Sequence, residues 1–204
     1  MTSKFILYSS PLLLLFAGIT IMEPWLYRNL LTSNDIENIQ QKDFKIIAHK
    51  GASGIAPENT LASFQAALDI GVDIIELDVR QTKDEEIIVF HDQFLDRTTN
   101  GMGNVHEYTL EQLKQLDAGS WFSSKFSDQK IPTLKEVLDL VDGRCQVLIE
   151  IKHMDHPHYH DFSDKLVDVI RLEENGFDWV LLQSYEDKYL EEAQYAIICH
   201  FNQL

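Results

Sequence analysis

Cysteine is scarce in this 204-residue chain, and two thiols, Cys145 and Cys199, cannot build a disulfide scaffold or a cysteine zinc site. Nine glycines and five prolines are too few for a collagen-like or low-complexity chain. Cations are the third shortage. Seventeen Lys and Arg stand against 33 Asp and Glu, a formal charge of -16, so no surplus of positive charge is available to neutralise a nucleic-acid backbone. A protein of this charge that takes an anion needs a local positive centre. What is present, 45% hydrophobic and 25% charged residues, is the composition of a packed globular protein.

Residues 5–22 read FILYSSPLLLLFAGITIM, 18 residues without a charge, flanked by Lys4 and Glu23. That length just crosses a bilayer, and the expectation is an uncleaved transmembrane anchor, with a secretory signal as the rival. Lys4 and the amino group precede the segment and only Arg28 follows closely, a weak bias that leaves the rest of the chain, membrane-anchored or exported, on the non-cytoplasmic side. Residues 23–43 form a linker of mixed polarity. Residues 44–204 make up the folded domain, about 160 residues.

From residue 44 onward short β-branched runs alternate with segments of helical period, the pattern of βαβ units and a parallel sheet. Strands are expected at 45–49, 72–79, 86–91, 146–152 and 179–183, with a sixth beginning at 196–200. Helices are expected after the cap offered by Pro57-Glu58-Asn59-Thr60, with a stop at Gly71, and at 110–116, 134–141, 163–174 (closed near Gly176) and 187–194.

The polar residues that break the apolar runs stand at their carboxyl ends, where parallel α/β sheets carry their chemistry. Glu76 and Asp78 are two apart on one strand and leave the same face; Glu150 and Lys152 repeat the arrangement. Three carboxylates on one interior repel one another unless a cation joins them, and hard oxygen ligands suit Mg or Ca. The competing reading is a charged strand rim facing water. His49 and His91 close two other strands, and histidine is the side chain type suited to proton transfer near neutrality. Lys50 and Lys152 can hold an anion beside the metal. His153, His156, His158 and His160 read as a solvated loop, and Cys145 and Cys199 as either an exported pair or two buried thiols.

From Ile46 to Lys152 the stretches HKGASGIAPENTLASFQAAL, GVDIIELDVRQTKDEEIIVFHD, LDRTTNG, IPTLKEVL and LIEIK occur in order. This set resembles the glycerophosphodiester phosphodiesterases, and the likeness continues more loosely through LLQSYEDKYL. The resemblance implies a (β/α)8 TIM-barrel-type fold that hydrolyses glycerophosphodiesters to an alcohol and glycerol 3-phosphate with a divalent cation, Mg or Ca. It further implies His49 and His91 as paired acid and base, in either order, Glu76, Asp78 and Glu150 as metal ligands, and Lys152 as a phosphate ligand. Lys50 stands where the family usually has Arg; it keeps the charge but loses the bidentate fork, which implies weaker substrate binding rather than lost chemistry.

A complete barrel takes about 250 residues, so the expected form is a barrel truncated after five or six strands. Two other functions stay open: a catalytically inactive membrane-anchored remnant, and a related lysophospholipase D or lipid phosphodiesterase. Anchoring through residues 5–22 would hold the site near lipid and admit lysophospholipids as substrates.

Overall fold

The computed structural model describes residues 45–153 and 161–201. The apolar segment 5–22, the linker 23–43 and the histidines at 156, 158 and 160 lie outside them.

Among the described residues the sheet has five strands, four of them parallel in the order β1 (Ile47–His49), β2 (Ile74–Gln81), β4 (Gln146–Ile151) and β5 (Val180–Ser184). β2 is buried along almost its whole length, the signature of a parallel strand covered on both faces. Alternation then divides its residues. Ile75, Leu77 and Val79, with Val147, Ile149 and Ile151 of β4, join the main hydrophobic core. Glu76, Asp78 and Glu150 leave the opposite face.

The core is closed by α1 (Leu61–Ile70), α3 (Leu134–Val141) and α4 (Phe162–Arg171), which supply Phe64, Leu138 and Leu166, each with no solvent exposure. Reciprocal capping boxes start α1 (Thr60 with Ser63), α2 (Leu110–Gln115; Thr109 with Gln112) and α3 (Thr133 with Glu136). α1 ends at Gly71, as expected. The long excursion between β3 (Ile87–Val89) and α3 carries α2 and packs a second cluster, including Phe90, Leu95, Leu113 and Ile131.

Three expectations are corrected. β3 pairs antiparallel with β2 instead of joining the parallel set. Only residues 82–86 link the two strands, enough for a hairpin and far too few for a parallel crossover. The strand expected at 196–200 is helix, because α6 runs unbroken over Asp187–Phe201. Tyr189, Leu190 and Ala193 are buried at helical spacing, the Tyr189 ring meets Phe162 of α4 edge-on at 6.3 Å, and Ile198 stays half exposed. Gly176 does not close the preceding helix, which ends at Arg171; it opens the short turn α5 (Gly176–Trp179). The turn is pressed against α4, and a Cβ on Gly176 would lie 2.2 Å from the carbonyl oxygen of Ile170.

Gly176→Ala is therefore expected to cost about 1–3 kcal/mol by overpacking. Gly54→Ala, where an added Cβ meets nothing within 4 Å, should stay within about 0.5 kcal/mol. Urea unfolding of both variants checks this, and equal midpoints would contradict the close approach.

Candidate functional site

In the sheet register Asp78 lies beside Glu150, and Glu76 beside His49. All three carboxylates are buried, and one oxygen from each lies within 4.8 Å of the others. Burial of three like charges needs compensation from every neighbouring element. Lys152, just beyond β4, places its ammonium 2.8 Å from Asp78 Oδ1 and 2.5 Å from Glu150 Oε1. Asn59 Nδ2 donates to Asp78 Oδ2 at 2.8 Å, and the Asp78 amide donates back to Asn59 Oδ1 at 3.4 Å.

The turn after β1 supplies the next donor. Lys50 and Gly51 adopt φ of 59° and 76°, and this left-handed pair swings the Lys50 amide onto Glu76 Oε2 at 2.8 Å. Glycine is required at 51 because a Cβ there would come within 2.4 Å of Ser63 Oγ at the start of α1. The Lys50 ammonium does not join the carboxylate cluster; it sits on Glu58 at 3.2 Å. His49 is largely exposed, with Nε2 3.9 Å from Glu76 Oε2.

His91 arrives from the other side. The Phe90 amide donates to the Asp78 carbonyl at 2.9 Å, and the Arg80 side chain donates through Nε to the His91 carbonyl at 2.9 Å, so the backbone of Phe90 and His91 is held against β2. His91 and Lys152 line one cavity of about 420 Å³, together with Arg80, Phe94 and Arg97. His91 Nδ1 is 2.5 Å from Asp92 Oδ1, and Arg97 bridges Asp92 to Glu58. Sequence reasoning assigned no part in the site to Asn59, Glu58, Asp92 or Arg97. Asn59 sits in the PENT segment, read only as a helix cap, and Arg97 in LDRTTNG; a left-handed Asn before a cap and an Arg near two acids become meaningful only when the loops meet. His153 lies with Nδ1 against Glu186. Cys145 is a free, half-buried thiol whose burial pushes its pKa up.

One ammonium faces three carboxylates, and the donor set is all oxygen, so the cluster fits a hard divalent cation. Asp78 Oδ1 is buried with the Lys152 ammonium 2.8 Å away, and a carboxylate oxygen with two lone pairs can share itself between that ammonium and such an ion. Burial, then the charge of Asp78, pushes Glu76 up to about 7, against the opposing Lys50 amide. Burial acts to lower the Lys152 pKa, but its contacts with Asp78 and Glu150 raise it overall.

The folded protein without metal therefore holds the Glu76 proton more tightly than the unfolded chain. Its contribution to stability is full below about pH 4.5 and is lost as pH rises to about 7. In chelator, the stability difference between Glu76→Gln and wild type should grow in favour of the variant across that window and level off above it. Urea unfolding at a series of pH values reads this, and a difference constant with pH would contradict it.

Residues 49–194 match the model of the glycerophosphoryl diester phosphodiesterase family. A glycerophosphodiester phosphodiesterase of Caldanaerobacter subterraneus subsp. tengcongensis is 44% identical over 150 residues, 73% of this chain and 61% of that protein. The crystal structure of a glycerophosphodiester phosphodiesterase from Agrobacterium tumefaciens superposes with a TM-score of 0.68 at 36% identity, covering 76% of this chain and 63% of the other. A phosphodiesterase of Oleispira antarctica, solved in complex with the product sn-glycerol-3-phosphate, gives a TM-score of 0.67 at 33% identity, covering 75% and 60%. The chain thus spans about three fifths of the length of these relatives. With its TIM-barrel-like α/β architecture and a family match over most of its length, this chain belongs to the glycerophosphoryl diester phosphodiesterase family.

Proposed function

We propose that the chain hydrolyses glycerophosphodiesters to an alcohol and glycerol 3-phosphate with the help of a divalent cation. The observation that carries this reading is the cluster of three buried carboxylates, two of them paired with Lys152, a residue that lines one cavity with His91. The names of the relatives, and the glycerol 3-phosphate bound by the Oleispira protein, support it.

Glu76, Asp78 and Glu150 would hold the cation, Mg or Ca, which when bound neutralises charge on the phosphodiester. Lys152 contributes the second positive centre that an acidic protein needs for an anion. The nucleophile is water or a neighbouring glycerol hydroxyl. One of His49 and His91 takes its proton as the new P–O bond forms, while the other delivers a proton to the departing alkoxide as the old bond breaks. Lys50 acts first through its backbone, fixing Glu76, and its ammonium supports substrate from the Glu58 pair.

The uncharged run at residues 5–22 supports membrane anchoring or export, with the catalytic part on the non-cytoplasmic side. A tethered site of this kind would meet lysophospholipids as well as free glycerophosphodiesters.

With glycerophosphocholine and Mg or Ca, His49→Ala and His91→Ala should each lower kcat by about 10²–10⁴ in folded protein. Glu150→Gln should shift the metal titration of activity to higher concentration. Near-wild-type rates in either histidine variant would remove the acid and base assignment, and folded wild type without turnover would favour a non-catalytic role.

A further inference from the structure

One run of charged contacts joins the loop after β3 to the loop after β1. His91 Nδ1 lies 2.5 Å from Asp92 Oδ1. Arg97 Nε donates to the other oxygen, Asp92 Oδ2, at 2.5 Å, and Arg97 Nη2 reaches Asp92 Oδ1 at 3.2 Å. The same guanidinium forks onto Glu58, with Nη1 donating to Oε2 at 2.9 Å and Nη2 to Oε1 at 2.7 Å. Glu58 Oε1 also accepts from the Lys50 ammonium at 3.2 Å, and the Lys50 amide holds Glu76. Arg97 thereby grips the loop after β3 and the loop after β1 at once.

Its arrangement suits orientation better than ligand binding. Although Arg97 borders the cavity, each of its three nitrogens already donates to a protein carboxylate, which leaves no fork for a phosphate. A lone exposed ion pair would hold little, since screening and side-chain entropy offset the attraction. A planar guanidinium bound to two carboxylates through four hydrogen bonds is different, because it fixes the rotamers of both acids. The consequence falls on His91. A carboxylate held against Nδ1 makes that nitrogen the proton carrier and leaves the Nε2 lone pair for chemistry. Burial opposes ionisation of Asp92, but Arg97 and then His91 hold it down at about 2, so it accepts from the imidazole throughout the working pH range.

We propose that Arg97 is a positioning residue that clamps Asp92 against His91 Nδ1 and, through its fork onto Glu58, ties the orientation of His91 to the turn that carries His49 and Lys50. The inference rests on the reading of His91 as an acid-base group in phosphodiester hydrolysis.

The test uses the full chain with Arg97→Gln, Arg97→Lys and Asp92→Asn, and two independent readouts. Imidazole nitrogen NMR of the free protein reports the His91 tautomer without any need for turnover. The Nδ1-protonated form should dominate in wild type and give way toward the Nε2-protonated form in Arg97→Gln and Asp92→Asn. With glycerophosphocholine and Mg or Ca, kcat should fall by up to about 10² in Arg97→Gln, with KM within about twofold. Arg97→Lys should recover part of the loss, having the charge without the fork. An unchanged tautomer in Arg97→Gln, or a raised KM at constant kcat, would overturn the proposal. If Arg97→Gln fails to unfold cooperatively, Arg97→Lys carries both readouts, with an intermediate tautomer shift expected and a wild-type tautomer overturning the idea. Wild type that shows the tautomer but no turnover would sink the hydrolytic reading and leave the clamp standing.

Discussion

Burial of three carboxylates on one face of two adjacent parallel strands is the constraint that the surrounding structure answers. Glu76, Asp78 and Glu150 share the face of β2 and β4 opposite the main core because strand alternation puts them there, and the register sets Asp78 beside Glu150. Ionised acids in such a place are costly unless paired or hydrogen-bonded. Each nearby loop meets part of that demand. Lys152 brings an ammonium, Asn59 a side-chain amide and Lys50 a backbone amide. Two of these donors come from residues with left-handed backbone, at φ of 59° for Lys50 and 55° for Asn59, so the strained turns after β1 are explained by what they deliver to the acids. Burial, with the charge of Asp78 behind it, still outweighs that supply, so Glu76 is pushed up to about 7 and a hard cation suits the cluster.

Around that centre lies a second layer of charge with a different task. Arg97, Asp92 and Glu58 stand nearer to solvent and contribute little to folding taken as single pairs, in the same way as Lys135 with Asp139 on the surface of α3. What distinguishes them is shared geometry. One guanidinium joins two loops and sets the face that His91 turns to the cavity, while β3 and the Phe90 amide fix its backbone. The inner layer is therefore about charge, and the outer layer about direction.

Much of this was legible in the chain. The alternation of strand and helix, the Thr60 cap and Gly71 stop of α1, and the acids two apart on β2 all follow from local rules of period and capping. Errors arose where local rules are silent. A β-branched run reads as strand whether or not a sheet edge exists to receive it, and Tyr189, Leu190 and Ala193 found their apolar surface on α4. The antiparallel turn of β3 hid in a short link, since a strand pattern carries no direction. Gly176 was read as a helix stop, whereas its lack of a side chain serves close packing against Ile170.

The sequence by itself determined that Glu76 with Asp78, and Glu150 with Lys152, would leave one face of their strands, because side-chain direction in a strand depends only on a period of two. It also determined the family, through motifs whose order is far more specific than any single one. Only the tertiary structure decided how those groups are held: that Lys50 serves the site through its amide, that its ammonium and Arg97 converge on Glu58, and that Asp92 turns toward His91. Two of these contacts join distant positions, Lys50 with Glu76 at a separation of 26 and Arg97 with Glu58 at 39. No local propensity encodes them, because they depend on where packing brings separate loops to rest.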